Sequence, residues 1–119
     1  MRLKQEKLKP ADEFVGQLKA VGIQGFTREL KAIPGRQFRI DVAFPAERIA
    51  IECMGGVFQR GRHTRGTGYT KDCEKACLLA IEGWQYMPVT ADQIRDGYAL
   101  KWVEAALRVA KFRERPIET

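Results

Sequence analysis

Apolar residues return at two different periods along this chain, and the change of period divides it into elements. After Pro10, the residues Phe14, Val15, Leu18 and Val21 recur at helical spacing, and Gly22 offers a stop. Pro10 suits a first helical turn because its fixed φ is already helical there. A first strand is expected over 25–30, and Pro34-Gly35 marks a turn. Strict alternation then takes over in FRIDVAFPAERIAIECMGG, residues 38–56, which reads as two strands joined by a tight bend at Pro45-Ala46-Glu47-Arg48. A helix is expected over 69–82 with Ala76, Leu79 and Ala80 inward and Gly83 at its end. A short strand follows over 84–89, then a turn of helix capped by Thr90 and a break at Gly97. Leu100, Val103, Leu107 and Ala110 place a last helix over about 98–112. The order is helix, three strands, helix, strand, helix, which suits an α/β (α+β) domain with a mixed sheet flanked by helices.

Inside the hairpin two residues look misplaced. Asp41 and Glu52 sit in mid-strand, where carboxylates are disfavoured. Pairing Phe44 with Ile49 puts Ile40, Val42, Phe44, Ile49, Ile51 and Cys53 on one apolar face. Arg39, Asp41, Ala43, Ala50, Glu52 and Met54 then share the other. A slip of one residue would bury both acids under the sheet, so the hydrophobic pattern selects this register. Asp41 then opposes Glu52 with Cβ atoms about 4.5–5.5 Å apart. Two like charges that close destabilise the strands, whereas one hard divalent cation between them reverses the sign. A solvated face, with the acids paired to Arg39 or half protonated, is the plainer alternative.

Composition narrows the class. The chain has 119 residues, enough for one domain with one core over 1–119, and its 45% apolar and 30% charged content is that of an ordinary globular protein. No apolar run is long enough to cross a bilayer. The start, MRLKQEKLKP, has charge but no apolar core, so it does not read as a secretory signal; an odd cysteine count, three, argues against a disulfide framework. A cytoplasmic location without membrane attachment is the expectation. The net charge of +6 is compatible with a nucleic-acid partner, and its placement adds weight. Arg2, Lys4, Lys7 and Lys9 make residues 1–9 a basic arm. Directly after the acidic pair, VFQRGRHTRGTGYTKDCEK carries Arg60, Arg62, His63, Arg65, Lys71 and Lys75 among glycines. Glycine lets backbone approach a phosphate and arginine forks grip its oxygens. A cationic loop beside an acidic metal site suits a phosphodiester bound over Mg²⁺.

Asp41, the ten-residue gap and Glu52-Cys53-Met54, after a helix and a strand, resemble the PD-(D/E)XK nuclease superfamily. The fuller pattern RIDVAFP, IAIE, GG, GRHTRG and DCEK resembles small phage and prophage endonuclease-like proteins related to very-short-patch repair endonucleases. The resemblance covers about 26–89. It implies a restriction-endonuclease-like αβββαβ core around a four-stranded mixed sheet, here with an extra C-terminal helix. It implies Mg²⁺ or Mn²⁺ on Asp41, Glu52 and the Cys53 carbonyl, with Glu13 or Glu29 in support. It implies DNA as the partner and a bacterial or phage-infected cell; monomer and homodimer both stay open. The family lysine two residues after the acid is missing: Met54 stands there. Lys75, on the following helix, or His63 is expected to replace it in catalysis. Asp72 and Glu74 favour the helix N-terminus through its dipole.

Other readings remain. Cys53, His63, Cys73 and Cys77 could hold zinc, although Cys53 is expected to face the core and no C-x₂-C pair exists. An inactive nuclease fold could bind DNA without cutting it, and RNA could be the substrate. Trp84 and Trp102 read as core aromatics.

Overall fold

The computed structural model of the protein describes residues 8–55 and 68–113. Its elements are α1 (Pro10–Ala20), β1 (Thr27–Leu30), β2 (Ile40–Phe44), β3 (Ile49–Met54), α2 (Tyr69–Ile81), β4 (Gln85–Thr90), α3 (Ala91–Arg95) and α4 (Tyr98–Arg113). The strands form one mixed sheet in the order β1-β2-β3-β4, open at both edges, with β4 parallel to β3 and the other pairs antiparallel. Helices flank it, so the α+β class holds. No helix among the described residues is long and apolar enough to cross a membrane.

Local chemistry sets the element ends. Pro10 occupies the first turn of α1. That helix closes where Gly22 takes φ +78, with Ile23 N–H donating to Leu18 O and Gly22 N–H to Lys19 O. The same closure ends α2: Gly83 has φ +86, and Trp84 N–H donates to Leu79 O. Trp84 and Leu79 then pack in one apolar cluster, the hydrophobic contact that accompanies this cap. Thr90 Oγ1 accepts from Gln93 N–H while the Gln93 side chain accepts from Thr90 N–H, a capping box that starts α3.

The hairpin register is the one the alternation requires: Phe44 opposes Ile49, Ala43 opposes Ala50 and Val42 opposes Ile51. Val42, Phe44, Ile49 and Ile51 pack against Phe14, Val15 and Leu18 of α1 and Val103, Ala106 and Ala110 of α4, with Cys53 at the margin. The opposite face is covered too. Ala43 and Ala50 are fully buried with Leu79 and Trp84, because their small side chains let α2 come close. This face is therefore not the solvated side of a two-layer hairpin.

Three expectations are corrected. Ile40 packs in the second cluster with Ile33 and Ala43, not beside Val42, because β2 enters from a loop whose Ile33 and Phe38 belong to that cluster. Ala80 is exposed, since α2 turns the Lys75–Leu79 line toward the sheet. Trp84 is buried as expected, but Trp102 is 43% exposed: α4 carries two apolar lines, and the one through Ala99, Val103, Ala106 and Ala110 took the core.

Candidate active site

The acids lie where the β2–β3 ladder ends. The last paired residues are Val42 and Ile51, and the next in register are Asp41 and Glu52. Asp41 Oδ2 accepts the Cys53 N–H at 2.9 Å. A side chain thus satisfies a strand donor at that point. The two carboxyls are close enough to share a hydrogen bond when one is protonated.

Lys75 reaches them from α2. Buried Leu79 pins the helix to the sheet, and Lys75, one turn earlier on the same side, points at the ladder's end. Its ammonium donates to Glu52 Oε1 and to the backbone carbonyl of Arg39. The pair is nearly enclosed, with side-chain exposures of 11% for Lys75 and 16% for Glu52. Glu52 Oε2 is buried and receives no donor from the described residues.

Burial pushes the Glu52 carboxyl up to about 7; the Lys75 hydrogen bond pulls it down, and the hydrogen bond and charge of Asp41 push it up again. The Cys53 thiol is pushed up to about 12 by burial first and by both carboxylates second. It stays protonated at neutral pH, so only the carbonyl of this residue offers a ligand there. Tyr86, on β4 opposite Ala50, is also raised to about 12, by burial and then by Glu52, Asp72 and Asp41. It keeps its proton as a donor on the same face.

Beside Asp41 lies a cleft of about 600 Å³ lined by Lys9, Asp12, Arg28, Glu29, Asp41 and Cys53 among others. Arg28, on β1, is held by Asp12 of α1 at 2.7 Å. Neither was singled out from sequence, because the contact joins elements that local periodicity does not relate. Glu29 does line the cleft, with a left-handed φ of +55 and Arg39 at 3.8 Å. Glu13 is half-buried in the first turn of α1 and is not among the lining residues; its neighbour Asp12 is. Gly55 also lines the cleft, and an added Cβ there would stand 2.8 Å from Pro10 Cγ.

The remaining expected residues fall elsewhere. Lys71 is exposed at a second cleft of about 480 Å³ with Arg36, Phe38 and Glu74. Glu74 pairs with Arg36 at 2.7 Å, which gives it a role beyond the helix dipole. Cys73 and Cys77 are exposed on α2, while Cys53 packs at the margin of the cluster on the opposite sheet face, so the three thiols do not converge. Arg60, Arg62, His63 and Arg65 lie outside the described residues, as do Arg2, Lys4 and Lys7 of the arm.

The donors present suit a hard cation. Among the described residues no three His, Cys, Asp or Glu side chains converge, and the carboxylates that come together here are two, Asp41 and Glu52. Mg²⁺ is held in that way, with water and substrate phosphate completing its shell. The buried, donorless Glu52 Oε2 is the atom such an ion would satisfy. Comparison of the chain with protein-family models, with curated proteins and with solved structures finds no match.

Proposed function

We propose that the protein is a Mg²⁺-dependent endodeoxyribonuclease with a restriction-endonuclease-like core, in which Asp41, Glu52 and the Cys53 carbonyl hold the cation. The observation that carries this reading is the meeting of Asp41, Glu52 and Lys75 at one end of the sheet, with Glu52 Oε2 buried and donorless. The order of α1, three strands, α2 and β4 supports it. Mn²⁺ would serve in place of Mg²⁺. Glu29 is the nearer supporting acid, since it lines the cleft beside Asp41 and Glu13 does not.

When bound, the cation lowers the pKa of water and offsets charge on the phosphoryl oxygens. The chain's own residues do the rest. Lys75 uses two of its three N–H donors on Glu52 and the Arg39 carbonyl and keeps the third for a phosphate oxygen. It thereby replaces the lysine absent at Met54. Asp12 holds Arg28 at the cleft wall, where its guanidinium meets a second phosphate. His63, Arg60, Arg62, Arg65 and Lys71 complete the grip on the DNA backbone, and His63 is the alternative proton carrier.

The test is cleavage of supercoiled, linear, single-stranded and branched DNA with Mg²⁺ or Mn²⁺, by wild type and Asp41→Asn. Cleavage by wild type alone is the expected result. DNA binding by both proteins with cleavage by neither would instead establish a non-catalytic DNA-binding module, and preference for RNA would change the substrate.

A further inference from the structure

The second cleft, of about 480 Å³, adjoins the acidic site, and two contacts place it there. Lys75, which holds Glu52, also donates to the Arg39 carbonyl, and Phe38, the residue before Arg39, lines this cleft. Arg36 Nη1 meets Glu74 Oε2 at 2.7 Å, and Glu74 is the residue before Lys75. The segment that leads into β2 is thus tied to α2 at consecutive residues, and the cleft opens beside those ties. Lys71 lines it from one turn before Lys75, about 6 Å along the helix. That is close to the span of the sugar between successive phosphates of one strand.

The first cleft lies on the other side of the acids. It is walled by Pro10 and Asp12 of α1, whereas the second is walled by Lys71 and Glu74 of α2. These helices cover opposite faces of the sheet. A chain of phosphates that passes Arg28 and crosses Asp41 and Glu52 therefore reaches Arg36 and Lys71 next.

The charges in the second cleft suit an anion. Glu74 takes Nη1 of Arg36, and the guanidinium lies over the Phe38 ring at 6.0 Å, so the fork is held from two sides. Its other N–H donors remain for a ligand, and the side chain is 50% exposed. Lys71 is exposed and makes no ion pair among the described residues. Two cations against one carboxylate leave a surplus that one phosphodiester balances.

We propose that Arg36 and Lys71 hold the phosphate adjacent to the one bound at Asp41 and Glu52, on the α2 side, so that the preferred substrate is an internal linkage with a further phosphate beyond it. This rests on the nuclease reading for the position of the first phosphate. Glu74 is a positioning residue that aims the Arg36 fork. A strand end lacks the second phosphate, so a terminal linkage is a poor substrate.

The experiment compares oligonucleotides, in the DNA form that wild type cuts, carrying a terminal phosphate at one end, at the other, or at neither. Cleavage of the terminal linkages with Mg²⁺ is followed for wild type, Arg36→Ala, Lys71→Ala and, as a charge control at the far end of α4, Lys111→Ala, with folding checked by melting temperature. At one of the two ends the added phosphate should speed terminal cleavage about tenfold in wild type and Lys111→Ala, and less than about twofold in Arg36→Ala and Lys71→Ala. No effect of the phosphate at either end, or the same effect in all four proteins, overturns the inference and leaves the nuclease reading standing. If no DNA is cut by any of them, the nuclease reading fails, and metal-free binding decides the subsite alone. There the dependence of log affinity on log salt should lose about one unit of slope in Arg36→Ala and in Lys71→Ala, and none in Lys111→Ala. Slopes equal to wild type in the first two variants overturn the subsite as well.

Discussion

Glu52 governs how the site responds to pH. Its carboxyl titrates near 4.5 in the unfolded chain and is raised to about 7 in the fold, with burial the largest cause. Between those values the folded protein holds the extra proton, so this group's contribution to stability is full below about 4.5 and is lost as pH rises through about 7. Under the proposed function a divalent cation would compete for the same oxygens. The rise in melting temperature on adding saturating Mg²⁺ should therefore be several degrees larger near pH 8 than near pH 5.5, by scanning calorimetry. Equal rises at both pH values would contradict metal binding at Glu52. Lys75→Met should leave a nearly enclosed carboxylate unpaired, at about 2–3 kcal/mol near pH 8 and less near pH 5.5, read by urea unfolding. The same variant should lower cleavage about a hundredfold, since it removes the donor facing the phosphate.

Two element junctions hold the site in shape. Gly55 lies under Pro10 where β3 leaves the sheet, and Gly55→Ala would push a Cβ to 2.8 Å from the proline ring. The N-terminal turn of α1, which carries Asp12, must then shift, at about 1–3 kcal/mol by thermal unfolding. Cleavage should fall by more than that loss explains, as Arg28 loses its support; unchanged activity would show that Asp12 and Arg28 do not serve the site. Thr90→Ala removes the capping box of α3 and should cost about 1 kcal/mol without changing metal binding. Most of these elements could be read from sequence, because alternation, Pro10 at a first turn and glycines after α1 and α2 act locally. The acidic pair was readable for the same reason: only one register buries Val42, Phe44, Ile49 and Ile51 together. Arg28, Asp12 and Tyr86 were not, because the first two reach the cleft and Tyr86 reaches the acids' other side only through the packing of α1, β1 and β4. Trp102 was misread because α4 has two apolar lines, and Ala99, Ala106 and Ala110 allow the closer approach to the core.

At the scale of the whole molecule, the acidic pair has Arg28 at the cleft beside Asp41 and Lys75 on Glu52. The net charge of +6 favours a polyanionic partner, and under the proposed function Asp41 and Glu52 would repel that partner until a cation intervened. DNA affinity without metal should therefore rise in Asp41→Asn even as cleavage disappears, a separation that fluorescence anisotropy and a plasmid assay together would show. The proposed function requires these two carboxylates to share one divalent ion. Its most direct measurement is anomalous scattering from crystals soaked in manganese. A single peak within coordination distance of Asp41, Glu52 and the Cys53 carbonyl, absent in Asp41→Asn, is the predicted result. Soaks at a saturating manganese concentration with no peak there, and Lys75 still seated on Glu52, would contradict it.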